Sequence, residues 1–272
     1  MRTHACRLLA LLVSAAALLV TAPAHAQAPT DSVVVQLAYD VGRFVVLDHG
    51  QPVATERFQY DRVADSIQVT ATIQRRMRAA DGSTKTFDKQ ISLIVDAFDY
   101  SLRRYTSNTK FDGHLSVKGV VPGDTVMTIF TEKDDSGSAD RLTQPPGRLF
   151  VMDPLVFSLF DIVCRNVHGH ILKSRPISLV TLGQTSATSE ATVTIAGNDT
   201  IQWGGKRMIA QRYTITDAAS TFLVWTSPKG EMLRLEHSAS GLVVQRDEPE
   251  APAPIRAMPA RKRATKHAIK RG

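Results

Sequence analysis

Cysteine is almost absent from this 272-residue chain, which has only Cys6 and Cys164. Cys6 lies in an amino-terminal segment with the features of a removable leader, so Cys164 is the one thiol left and an intramolecular disulfide is excluded. Long apolar runs are also missing. The longest, from Leu8 to Val20, is too short to span a bilayer with margin, and no later segment approaches the needed length. The body has no basic excess either. The net charge is +7, but seven basic residues follow Pro249, and residues 27–248 hold 24 basic and 25 acidic side chains. A nucleic-acid-binding face, which needs basic residues clustered on the folded part, is therefore not expected. No Gly-x-Ser-x-Gly, phosphate-binding Gly-rich loop or His-Glu-x-x-His occurs, so no motif points to a hydrolase, a nucleotide enzyme or a zinc peptidase, and no cofactor is expected.

What is present begins with an address. Arg2 and Arg7 precede the apolar run, and Ala24-His25-Ala26 places small residues where a signal peptidase needs them. Residues 1–26 are expected to be a signal peptide cleaved before Gln27, which implies a periplasmic protein. Cys6 precedes the apolar run instead of sitting at the cleavage site, so it is no lipoprotein acceptor.

From Val33 to Thr131 the pattern has period two. Ile67, Val69, Ala71 and Ile73 alternate with Gln68, Thr70, Thr72 and Gln74, and Phe87, Ile91, Leu93 and Val95 sit in a second such run. Alternate side chains of a strand face opposite sides, so these runs predict antiparallel strands with one wet face. His49-Gly50, Ala80–Ser83, Asp112-Gly113 and Pro122-Gly123 supply turns, giving six or seven strands joined mainly by hairpins. Residues 132–147 break the alternation and read as a long surface loop. Residues 153–168 predict the one helix, with Asp153 as cap, Pro154 in the first turn and an apolar stripe from Leu155 to Val167, stopped by Gly169. Further strands are expected at 176–182, 191–195, 207–216, 221–226, 232–237 and 242–246. Residues 249–272, Pro/Ala-rich and basic, are expected to be disordered.

Three stretches carry a likeness. Tyr39-Asp40-Val41-Gly42, Met152–Phe160 and Phe222–Leu233 resemble, in kind and order, exported β-rich proteins of Gram-negative bacteria that are similar in layout to the lipoprotein-carrier half-barrels. The resemblance implies a mainly β fold: one large curved antiparallel sheet or open barrel, with the amphipathic helix on its concave side, in a single domain over residues 27–248. Two β domains joined near Gly147 are the competing arrangement. The resemblance transfers no functional residue.

Candidate chemistry is sparse. Cys164 and His168 share a helix face, His170 lies just beyond, and Asp161 is one turn earlier, a donor set suited to zinc or copper. The competing reading makes Cys164 a small buried hydrophobe and the histidines partners of the helix carboxyl end. A Cys/His nucleophile pair would need the same residues with an accessible thiolate. Asp134, Asp135 and Asp140 lack the alternation of a calcium loop. Phe157, Phe160, Trp203 and Trp225 are candidates to line an apolar pocket. Arg261, Lys262, Arg263, Lys266, Lys270 and Arg271 form a basic tail suited to anionic surfaces. The expected function is a periplasmic, non-enzymatic module binding an apolar or lipid-like ligand. An envelope scaffold tethered by the tail, and a metal or thiol enzyme, are the alternatives.

Overall fold

A computed structural model of the chain describes residues 37–78, 82–134, 136–168, 170 and 173–247. The expected signal peptide, the turn residues Ala80 and Asp81, Asp135, the helix stop Gly169 and the basic tail lie outside the described residues. Eight strands come first: β1 (Leu37–Asp48), β2 (Gln51–Val63), β3 (Ser66–Arg78), β4 (Thr84–Asp96), β5 (Leu102–Phe111), β6 (His114–Val121), β7 (Val126–Lys133) and β8 (Ser136–Thr143). A short β9 (Leu149–Met152), the helix α1 (Ser158–Val167) and β10 (Ser174–Leu182) follow. The last five are β11 (Ser186–Trp203), β12 (Lys206–Thr216), β13 (Thr221–Thr226), β14 (Met232–His237) and β15 (Leu242–Arg246).

All fifteen strands belong to one sheet. The meander β1–β8 runs outward in one direction and β15 back to β9 runs outward in the other, with β1 paired to β15 at the centre. Every pairing is antiparallel except β9 with β10. A parallel pair cannot be closed by a tight turn, so the chain crosses over between β9 and β10, and that crossover carries α1. The fold is therefore mainly β: a large open sheet with a single short helix. The strands before and after Gly147 share one sheet through the β1–β15 pairing, although β8 and β9, which flank Gly147, lie at its opposite edges.

The alternation read from the sequence is the burial pattern observed. Ile67, Val69, Ala71 and Ile73 are buried, as are Ile91, Leu93 and Val95 in the neighbouring row. Asp112 and Gly113 both have positive φ, +52° and +85°, the geometry that matches the twist of a two-residue hairpin. The inner rows and the helix share one core. Leu159, Ile162, Val163 and Val167 are at most 2% exposed, and burying each side chain contributes about 1.5–3 kcal/mol. Helix groups bond inner-row or sheet-end groups on opposite flanks: Tyr60 Oη of β2 donates to Ser158 O, and Met232 N of β14 donates to Asp161 Oδ1. The helix thus lies on the concave side.

Three local expectations need correction. In place of one loop over 132–147, residues 132–133 complete β7 and 136–143 form β8, paired along its whole length with β7, leaving 144–147 as the connection to β9. Backbone pairing needs no apolar side chain, and β8 is polar and exposed. The helix begins at Ser158, five residues later than expected. Asp153 to Val156 is instead a turn closed by Val156 N donating to Asp153 O at 3.1 Å. Its third residue, Leu155, has φ +68°, a position that normally favours glycine. Finally, β11 continues well past Ile195, with a bulge between Ile195 and Gly197, and forms with β12 a long hairpin arm.

Candidate functional site

Charged residues occupy inward positions in otherwise apolar rows. Glu56, Ile73 and Lys89 are cross-strand partners in one row of β2, β3 and β4, and Glu56 and Lys89 are both buried. Both reach the segment that leads into the helix. Lys89 Nζ forms an ion pair with Asp153 and donates to Pro154 O at 3.1 Å, while Tyr105 Oη donates to Asp153 Oδ2 at 2.6 Å. Glu56 Oε2 accepts from Phe157 N at 2.6 Å and Oε1 from Ser158 N at 3.1 Å. The capping carboxylate is therefore supplied by a distant strand, and the expected cap, Asp153, serves the lysine. Burial pushes the Glu56 carboxyl up to about 7 against the opposing pull of the two amides. The row position of Lys89, between Phe87 and Ile91, was the available sequence signal: a charge where the alternation calls for an apolar residue.

This braced segment forms one wall of a cavity of about 550 Å³. Met152, Leu155, Val156, Phe157 and Phe160 line that side; Leu179, Ile215, Phe222 and Leu242 face them from the inner rows of β10, β12, β13 and β15. Phe160 and Phe222 rings lie 4.9 Å apart, and Phe222 and His237 rings 4.8 Å apart. Two of its polar residues are engaged within their own turns. Asp217 Oδ1 accepts from the amides of Ala219 and Ser220, and His237 Nδ1 is 2.7 Å from Ser240 Oγ. Such a space, apolar with few polar groups and within the usual size for a small-ligand pocket, suits a hydrocarbon ligand.

The four aromatic candidates separate into two places. Phe157 and Phe160 line the apolar cavity. Trp203 and Trp225 line a different, more polar groove of about 700 Å³ with Asp199, Arg234, Glu236 and Gln245. Leu179, Ile215, Phe222 and Leu242 were missed as pocket residues, although each sits at an inward position of a strand the alternation had marked.

Cys164 is 1% exposed and burial raises its thiol pKa well above the ordinary value. His168 is half-buried and His170 exposed. Asp161 bonds Arg165 Nε at 2.7 Å. Arg165 also pairs with Asp40, which pairs with Arg246. These side chains form a charge-balanced cluster beside the helix. Among the described residues no group of three His, Cys, Asp or Glu is placed to hold a metal ion. Nor is any described helix long and apolar enough to cross a membrane.

The fold is thus one large, mostly antiparallel open β-sheet with a single short helix and an apolar cavity beside it. No family model matches the chain, and no curated protein does. Two solved bacterial structures are similar to it. One is a β-barrel-like protein of the domain of unknown function DUF1849 from Brucella abortus, at 8% identity and a TM-score of 0.47, covering 78% of this chain and 97% of that one. The other is a DUF1089 family protein from Pseudomonas aeruginosa, at 11% identity and a TM-score of 0.43, covering 68% of this chain and 90% of that one.

Proposed function

We propose that this protein is a periplasmic, non-enzymatic module that holds an apolar, lipid-like ligand, an acyl chain in particular, in the cavity beside α1. The observation carrying this reading is the cavity's lining, apolar from both the helix entry and the inner strand rows. The buried charges nearby support it, because they are consumed in bracing the wall: Asp153 by Lys89 and Tyr105, Glu56 by two amides. A layout like that of lipoprotein-carrier half-barrels agrees with the same reading, as does the leader-like sequence before Gln27.

The test is native mass spectrometry on protein exported and purified without detergent, followed by titration with a fluorescent fatty acid. Expected are a mature mass beginning at Gln27, lipid adducts and saturable probe binding. Leu179→Trp and Ile215→Trp, which fill the cavity, should each weaken the probe by about tenfold or more, equal to at least 1.4 kcal/mol. Absence of adducts together with no saturable binding overturns the reading.

A further inference from the structure

The groove containing the two tryptophans lies on the opposite face from the apolar cavity. Trp225, Arg234 and Gln245 are successive cross-strand partners on β13, β14 and β15. The adjacent row, Val224, Leu235 and Val244, is completely buried in the core. Because alternate residues face opposite sides, the Trp225 row faces outward. The β11–β12 arm covers it: Trp203, at the end of β11, donates from Nε1 to Arg246 O at 2.8 Å, across strands that are not its sheet neighbours. The bulge at Gly197, with φ +118°, gives β11 the bend, since a bulge sharpens local twist. Trp225 Nε1 donates to Asp199 Oδ2 at 2.8 Å. Both indoles are thereby held in place by their N–H groups.

Most charges in this groove are paired, and Arg246, which also lines it, pairs with Asp40. Asp199 pairs with Arg212 at 2.9 Å, Glu236 with Arg234 at 2.6 Å, and Asp247 with Arg43 at 2.8 Å. In each pair the hydrogen bonds fall on one carboxylate oxygen. Among the described residues, Asp199 Oδ1, Glu236 Oε2 and Asp247 Oδ1 accept none. A carboxylate has about four acceptor sites, so these oxygens are open to hydroxyl donors, while the net charge is too small to select a phosphate or a polyanion.

We propose that this groove is a binding site for a neutral oligosaccharide, with the half-buried Trp203 indole packing on the apolar face of a sugar ring, the carboxylates and Gln245 receiving hydroxyls, and Trp225, buried beneath the Arg234 guanidinium, forming the floor. Preorganised, charge-balanced planar groups beside fixed aromatic surface suit a ligand that is polar at its edges, apolar on its faces and uncharged. The site is separate from the acyl cavity, and the proposal does not rest on the reading of that cavity.

The groove also supplies its own reporter, since the chain has no other tryptophan. The mature protein is titrated with chito-, malto- and cello-tetraose, with inorganic phosphate and a sulfated disaccharide as charged controls, and read by tryptophan emission. At least one neutral series should give a saturable change that the charged controls do not. Trp203→Ala and Glu236→Gln should each weaken that binding by about tenfold, the scale of one lost hydrogen bond to a charged group. Circular dichroism confirms folding; if Trp203→Ala fails to fold, Trp203→Phe and Glu236→Gln carry the test. The proposal is overturned if no neutral series changes the emission, if only the charged controls do, or if binding survives both folded variants.

Discussion

Glu56 is the residue on which the most chemistry turns. It is fully buried, its carboxyl is raised to about 7 by desolvation, and it caps the helix from a strand about a hundred residues away in sequence. In the unfolded chain the same group loses its proton near 4.5. The folded state therefore binds the proton more tightly, so the stability it contributes is complete below about pH 4.5 and lost as pH rises through 7. The gap corresponds to about 3 kcal/mol. Urea unfolding followed from about pH 5 to about pH 8 should show the midpoint falling, and Glu56→Gln should remove that component of the slope. Glu56→Ala should destabilise at both ends of the range by about 2–4 kcal/mol, because two buried amides lose their acceptor. A wild-type slope identical to that of Glu56→Gln would show that folding does not raise this carboxyl's pKa.

Among the elements, β8 and the helix entry show what sequence patterning reveals and what it conceals. β3 and β4 were legible because one face is largely apolar, interrupted at Lys89, whereas Ser136-Gly137-Ser138-Ala139-Asp140 carries no alternation to detect. Its strand character comes from the neighbouring backbone of β7. Asp153-Pro154 imitates a cap followed by a first turn, and only the burial of Lys89 and Glu56 explains why the helix is delayed. β9 is four apolar residues, too short for periodicity to declare. The separation of the phenylalanines from the tryptophans was legible only in part: strand alternation turns Trp225 away from the Val224 row, whereas the position of Trp203 lies beyond the bulge at Gly197. The two strands should also differ in local stability. β8 is one of the two edge strands and almost wholly exposed, whereas β3 is flanked on both sides. Hydrogen exchange should run at least about a hundredfold faster for residues 136–143 than for residues 67–77, reflecting opening without global unfolding. Equal protection of the two strands would mean that β8 opens only with the whole sheet.

At the scale of the molecule, the two runs of strands are joined at the β1–β15 ladder and again where their far regions meet around α1. Lys89 of β4 pairs with Asp153, Lys118 of β6 donates to Gly183 O beyond β10, and Arg148 lies 3.5 Å from Asp99. These contacts couple the halves, so thermal unfolding of the body is expected as one cooperative transition, with calorimetric and van't Hoff enthalpies equal. Two resolved transitions would show that the runs melt separately. Because the sheet never closes into a complete ring, it keeps a free margin at β8, where unsatisfied backbone groups invite another chain to add on. That margin is built of serine, glycine and the exposed pair Asp140 and Arg141, with no apolar row to recruit a neighbour. An open sheet is thereby guarded at this edge against self-templated polymerisation by the very residues that hid this strand from pattern reading.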